Sequence, residues 1–388
     1  MYITNKTNKL KIMNEETQVN RRKFLKAAGL TAAVGASLGF GSRQLNSLKH
    51  FQSQDLSLKP VNVSSDRVIR TVVGLRPFRP SGFILRSERL NGKTIIHNYG
   101  HGGGGVSLSW GTATLAVDLA LQTQVTSFAV LGCGVIGLST ARLLQRKGFH
   151  VTIYAKDLPP ETTSNIAGAL WAPVSVYEDN KAGNEFMTQF HLASKISHRI
   201  FQDFVGDKYG VWWIRNYFLG NNFDFPGGKD LYPGYQEHHN AKAYFGFPDV
   251  TEISTMMIEP PIYLNALLED FYLAGGKLKV KHFDSVQTIS QLPEKVIMNC
   301  TGLGAGKLFN DKEIIPVKGQ LTVLLPQTGI NYSYVLPSHD NLLYMFPRKD
   351  GIILGGTSEK GNWSLEPNAE ESERILNGHH KISESLVD

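Results

Sequence analysis

The residues best placed to do chemistry in this sequence are arginines held on a stiff segment and glycines set for close approach. In Gly74-Leu75-Arg76-Pro77-Phe78-Arg79-Pro80 the two prolines rule out helix and keep Arg76 and Arg79 on extended chain. A guanidinium there can aim its planar fork at a carboxylate, although a lone arginine is more often a solvated surface group. In Asn98-Tyr99-Gly100-His101-Gly102-Gly103-Gly104-Gly105-Val106-Ser107, four consecutive glycines carry an entropic cost that packing does not explain. They imply backbone pressed against a flat ligand, ahead of a helix expected from Thr112. A third set, Gly132, Gly134 and Gly137, has G-x-G-x-x-G spacing.

Elements must position these groups. An apolar run at 128–131 enters the third glycine set, helical spacing follows at Leu138, Ala141 and Leu144, and a second apolar run covers 151–154. Strand, tight turn, helix and parallel strand make the spacing a dinucleotide fingerprint, with a pyrophosphate facing the helix N-terminus. Lys156-Asp157 then stands where an acidic group would hold a ribose hydroxyl. Residues 296–302, Val-Ile-Met-Asn-Cys-Thr-Gly, read as a buried strand ending in a small turn suited to approach a cofactor. Strands are expected at 68–73, and at 84–86 with 94–97 turning at Asn91-Gly92. Helices are expected at 185–205, 262–274 and 369–385. Residues 277–282 read as an exposed strand, and 314–325, 331–336, 342–346 and 352–356 as antiparallel strands.

Composition fits a large α/β core in two lobes: 41% of the residues are hydrophobic and 10% aromatic. The net charge of +6 is misleading until it is located. Residues 1–50 hold nine Lys/Arg and two Asp/Glu, and the remainder is close to neutral, so no basic surface for nucleic acid is indicated. Asn20-Arg21-Arg22-Lys23-Phe24-Leu25-Lys26 precedes an uncharged run at 27–41, too short for a stable membrane span and laid out as an export signal. Its paired arginines resemble the twin-arginine motif, whose machinery exports proteins already folded around a cofactor. Residues 42–65 have linker composition. Cys133 and Cys300 form no disulfide framework, and no metal cluster is apparent.

With the motifs VLGCGVIGLS, TTSNIAGALW, NCTG, LGGTSEKGNW, GLRPFRP and HNYGHGGGG in hand, the chain resembles the D-amino-acid oxidase family of FAD enzymes over nearly all of 66–388. In that family the fingerprint opens the protein, and the RP-x-RP and HNYGHGG segments close it. Here those segments come first, which reads as a circular permutation. The linker 122–127 is long enough to join the displaced helix to the fingerprint strand. The resemblance implies that Arg76 binds a substrate carboxylate, Tyr344 shares it, and the Gly103 carbonyl receives the amino group. It implies an FAD site of Gly132, Cys133, Gly134, Gly137, Lys156, Asp157, Thr162, Thr163, Ser164, Ala169, Leu170, Thr301 and Gly302. Gly102, Gly103, Gly104, Gly105, Val106 and Ser107 complete it. Three positions depart from the pattern: Lys156 replaces the ribose acid, Asp340 a second tyrosine, and Ala172 a glutamine.

The expected fold class is therefore α/β, an FAD-binding Rossmann-like domain plus a mixed or antiparallel-sheet substrate domain, in permuted order. The expected divisions are an export signal (1–41), a linker (42–65), a displaced segment (66–122) and an FAD-binding core (123–184). A substrate domain with a return to the FAD domain (185–295), an FAD-domain strand and turn (296–306), and substrate-domain strands with a final helix (307–388) follow. The expected activity is oxidation of a D-amino acid by hydride transfer to the flavin, giving a 2-oxo acid, ammonia and hydrogen peroxide, in an exported, periplasmic or extracellular enzyme. The competing readings are a D-amino-acid dehydrogenase with another electron acceptor, and a non-catalytic flavin-binding protein. The expected partners are a small D-amino acid and the twin-arginine machinery, with a homodimer left open.

Overall fold

The fingerprint stretch folds as its apolar runs and glycines dictate. In the computed structural model, strand β4 (Ser127–Leu131) enters the glycine turn, helix α2 (Val135–Arg146) returns, and β5 (His150–Ala155) pairs with β4 in parallel. Leu138, Ala141 and Leu144, one helical face, are fully buried against that sheet. The structure describes residues 58–220, 223–241, 246–338 and 342–386. The export-signal reading over 1–41, and Asp340, lie outside these residues.

Among the described residues the strands form two sheets, both within one compact unit, Ser57–Asp388. The six-stranded sheet runs β2 (Ile84–Leu90), β3 (Lys93–Tyr99), β10 (Val296–Asn299), β4, β5 and β9 (Lys277–Val280). It is parallel from β3 onward, so its carboxyl edge gathers the glycine loop, the fingerprint turn and the 300–302 turn on one side. The hairpin β2–β3 turns at Asn91 and Gly92, both with positive φ (48° and 75°), as the Asn-Gly pair requires.

The second sheet, nine-stranded, runs in one path β1 (Val68–Phe78), β11 (Ile315–Leu324), β14 (Gly351–Gly355), β13 (Leu343–Arg348), β12 (Tyr332–Leu336), β6 (Val211–Leu219), β8 (Asp249–Ile258) and β7 (Gln236–His239). The short β15 (Glu359–Lys360) pairs with β11 off that path. It is mixed rather than purely antiparallel, because β12 and β6 run in parallel. Helix α3 (Asn184–Gln202) precedes β6, α4 (Pro260–Leu273) follows β8, and α5 (Val286–Ser290) and α6 (Gly304–Leu308) flank β10. Helix α7 (Ala369–Glu384) covers the back of β11, β13 and β14.

Several boundaries differ from expectation, among them β1, which continues to Phe78, and the two that follow. Helix α1 spans Gly105–Leu121, starting seven positions before Thr112, because a 3₁₀ turn at Gly102–Gly104 leads straight into it. It is buried on nearly every side, with Leu108, Trp110, Ala113 and Ala116 fully covered. The expected linker also packs from its described part onward. Val61 and Val63 are buried, and Ser383 donates a hydrogen bond to the Val61 carbonyl.

Candidate active site

At the end of β4 the chain turns at Gly132 (φ 103°), where a Cβ would stand 2.5 Å from the Cys300 carbonyl oxygen. A Cβ on Gly137 would stand 2.1 Å from the Gly132 oxygen, so both glycines are demanded by backbone contact. Gly134 is extended and opens α2. The Val135 N–H donates to Ser164 Oγ (3.0 Å), while the N–H groups of Cys133 and Gly134 find no acceptor among the described residues. Free amides at a helix N-terminus, where the helix dipole is positive, fit a pyrophosphate. The Cys133 thiol is pushed up to about 12 by burial and stays a thiol. Lys156 and Asp157, just past β5, pair with each other at 3.1 Å in an exposed position. Thr162 is buried with its hydroxyl on Asn165 (2.7 Å), Thr163 is exposed, and Ser164 reaches the fingerprint helix.

The glycine run is tighter against the protein itself than its sequence suggests. A Cβ on Gly102 would meet the Ser175 carbonyl oxygen at 2.3 Å, and one on Gly104 would meet Val176 at 2.5 Å. The Gly103 N–H donates to that same carbonyl (2.9 Å). Packing against 173–176 therefore explains part of the run, which corrects the expectation that only a ligand could require it. Gly103 remains exposed, and Gly105 has open space apart from His101. Val106 is buried in the first turn of α1. Ser107 ties that turn to the 170–172 segment: the Ala172 N–H donates to its Oγ (3.1 Å), and its Oγ lies 3.5 Å from the Leu170 carbonyl oxygen. Ala169 has a left-handed φ of 61°, held by the Ile258 N–H bonding its carbonyl (3.0 Å). Leu170 packs with Met257 above the nine-stranded sheet.

Arg76 and Tyr344 come from opposite ends of the chain and rise from the same face of that sheet. Arg76 pairs in register with Val317, and its guanidinium lies over Gly319, where a Cβ would stand 2.4 Å from Nη2. Tyr344 pairs with Gly355, where a Cβ would stand 2.4 Å from the phenol oxygen. Leu321 pairs with Gly355 and shares a face with Gly319 two residues away. Strand spacing then puts the two glycines about 8 Å apart, so groups above them can reach one small ligand. The sequence had no means of showing that glycines at 319 and 355 make the room. Pro77 and Phe78 join this face to the rest: Gly302 lies beside Pro77, Gly102 beside Phe78, and Gly168 beside the Tyr344 and Phe346 rings.

The two candidate arginines separate cleanly. Arg79 is spent: Nε on Asp311 (2.8 Å), Nη2 on Glu313 (2.5 Å), and Nη1 on Ser81 Oγ (3.0 Å) and the Gly82 carbonyl (2.7 Å). Arg76 has one long contact among the described residues, Nη1 to the Thr357 carbonyl at 3.4 Å. Its fork is available to an incoming carboxylate.

Sequence reasoning also missed what holds the 301–302 turn. Asn299 accepts hydrogen bonds on Oδ1 from the Thr301 hydroxyl (2.7 Å) and N–H (3.3 Å), and its amide nitrogen meets His97 Nδ1 at 2.9 Å. The polar pair at register-matched strand ends was a signal that could have been read, had β3 been known to lie beside β10.

A model of the family described as DAO, FAD dependent oxidoreductase, matches residues 127–221 and 229–388. A D-amino acid oxidase of Dugesia ryukyuensis is 30% identical over 278 residues, covering 66% of this chain and 78% of that one. A D-amino-acid oxidase of Dictyostelium discoideum is 28% identical over 251 residues, covering 64% and 70%. Among solved structures, the glycine oxidase of Geobacillus kaustophilus has a similar fold, with a TM-score of 0.53 at 15% identity over 68% of this chain and 80% of that one.

Proposed function

Because this chain belongs to the DAO family of FAD-dependent oxidoreductases, we propose that it is an exported D-amino-acid oxidase whose substrate is held between Arg76 and Tyr344. FAD is the cofactor; when bound, it supplies the hydride acceptor. The fingerprint amides with Ser164 and the 301–302 turn fit its pyrophosphate and ribityl regions, and the Gly102–Ser107 stretch its ring. Of the exposed Lys156–Asp157 pair, Asp157 can accept from a ribose hydroxyl and Lys156 can donate to one.

The chain's own contribution is orientation and charge pairing. Arg76 takes the carboxylate with two N–H groups, Tyr344 donates a third hydrogen bond, and the Gly103 carbonyl accepts from the amino group. With the carboxylate and the amino group both fixed, only one enantiomer can turn its α-hydrogen toward the flavin. The observation that carries this reading is the uncommitted guanidinium of Arg76 above Gly319, on the Tyr344 face of the sheet.

Chain order supports a circular permutation. The family match begins at residue 127, while GLRPFRP and HNYGHGGGG lie ahead of it. Their elements, β1 and α1, nevertheless pack in register with matched strands and against α2. A rearranged chain opening at Ser127, with 66–121 moved behind α7, should fold and take up FAD; failure to do so would remove the permutation. Replacing Arg21-Arg22 by lysines should stop export of a fused reporter if the leader is a twin-arginine signal.

The functional test is oxygen uptake and peroxide release by the FAD-loaded protein with paired D- and L-amino acids. Turnover with D-enantiomers and stoichiometric peroxide is expected. Turnover only with a quinone or dye would replace oxidase by dehydrogenase, and turnover of L-enantiomers would overturn the proposed substrate class.

A further inference from the structure

The 300–302 segment lies against the fingerprint: a Cβ added to Gly132 would stand 2.5 Å from the Cys300 oxygen and 3.7 Å from Thr301 Cα. Whatever moves Thr301 therefore disturbs the first fingerprint glycine. Thr301 is held by Asn299, fully buried at the end of β10, whose Oδ1 serves the turn while its amide nitrogen faces His97 Nδ1. That arrangement works only if Nδ1 carries no proton, since the Asn299 NH₂ is a donor. His97 is itself buried, with Nε2 3.1 Å from Glu88 Oε1, close but poorly aligned for a hydrogen bond.

We propose that His97, through Asn299, is a positioning residue for FAD: its unprotonated Nδ1 locks the Asn299 amide so that the Thr301 turn is presented to the cofactor. On protonation Nδ1 becomes a donor, the Asn299 carbonyl turns toward it, and Thr301 loses its acceptor. The groups facing His97 are Glu88 and Arg86 from β2, Asp311 from the segment after α6, and the rings of Tyr99 and Phe309. Burial lowers the imidazole pKa, Glu88 and Asp311 raise it and Arg86 lowers it, with a net displacement below the ordinary 6.5. The lock is therefore closed at neutral pH and opens on the acid side.

The proposal rests on FAD being the ligand of this turn, and the test separates the two. Apoprotein is titrated with FAD, following flavin fluorescence, from roughly pH 8 to pH 5, for wild type, His97→Asn and His97→Leu. Asparagine keeps an acceptor where Nδ1 sits but does not titrate; leucine removes it. At pH 8 the leucine variant should bind FAD about tenfold more weakly, and the asparagine variant should stay within about threefold of wild type. Wild-type affinity should fall toward pH 5, with the asparagine variant flat over the range. Equal losses in both variants, or a wild-type affinity that follows the asparagine profile, would overturn the lock. Failure of wild type to bind FAD at pH 8 would sink the cofactor reading instead. If the leucine variant does not fold, wild type against His97→Asn across pH still decides.

Discussion

Arg76→Ala is the sharpest perturbation available. Among the described residues the guanidinium has one hydrogen bond, of 3.4 Å, to give up, so its removal costs the fold little. The loss falls on the bound substrate. A carboxylate on Arg76 gains two charge-assisted hydrogen bonds at about 1.5–3 kcal/mol each, and a desolvated carboxylate left without its partner loses most of that sum. A loss of about 3–5 kcal/mol corresponds to a fall in kcat/KM of roughly 10²–10⁴-fold. Steady-state peroxide release across a D-amino-acid panel measures it, with the flavin spectrum and thermal unfolding recorded in parallel. Flavin content and melting temperature should match wild type. A variant that keeps kcat/KM within about threefold (about 0.7 kcal/mol) refutes the role, and one that loses its flavin shows that Arg76 serves the cofactor instead.

Three further outcomes follow from the same geometry. Gly319→Ala, at a position without positive φ, pushes a methyl into the Arg76 guanidinium; a displacement of about 1 Å can cost up to roughly 100-fold in kcat/KM, with FAD binding kept. Arg79→Ala leaves Asp311 and Glu313 without their cation, so it should cost about 3–5 kcal/mol of stability in denaturant unfolding rather than a selective loss of catalysis. His101 and His379 are buried neutral, each depressed by burial to about 3, so their contribution to stability is complete above pH 6.5 and is lost as pH falls toward 3. Each should steepen acid unfolding by roughly 1 kcal/mol per pH unit in that window, read from denaturant midpoints across pH; a midpoint unchanged from pH 6.5 to 4 contradicts it.

Local signals made part of this legible and long-range ones did not. The fingerprint announces itself because Gly132 and Gly137 are required by contacts within one β-α unit. The Asn91-Gly92 hairpin follows from φ alone. Local sequence did not separate Arg76 from Arg79, which only the family resemblance did, since Asp311 and Glu313, which consume Arg79, lie more than two hundred residues away. The glycine run misled for the same reason: Ser175 and Val176, which crowd it, belong to another segment. The early start of α1 was hidden because glycines are poor helix formers that tertiary packing overrides here.

The central claim is tested most directly by anaerobic mixing of the FAD-loaded enzyme with D-Ala, D-Met, D-Lys and D-Asp and their mirror images, following the oxidised-flavin absorbance. Loss of the yellow band with at least one D-enantiomer and with none of the L-enantiomers is predicted. A band that persists with every D-amino acid, or fades with an L-enantiomer, would contradict it.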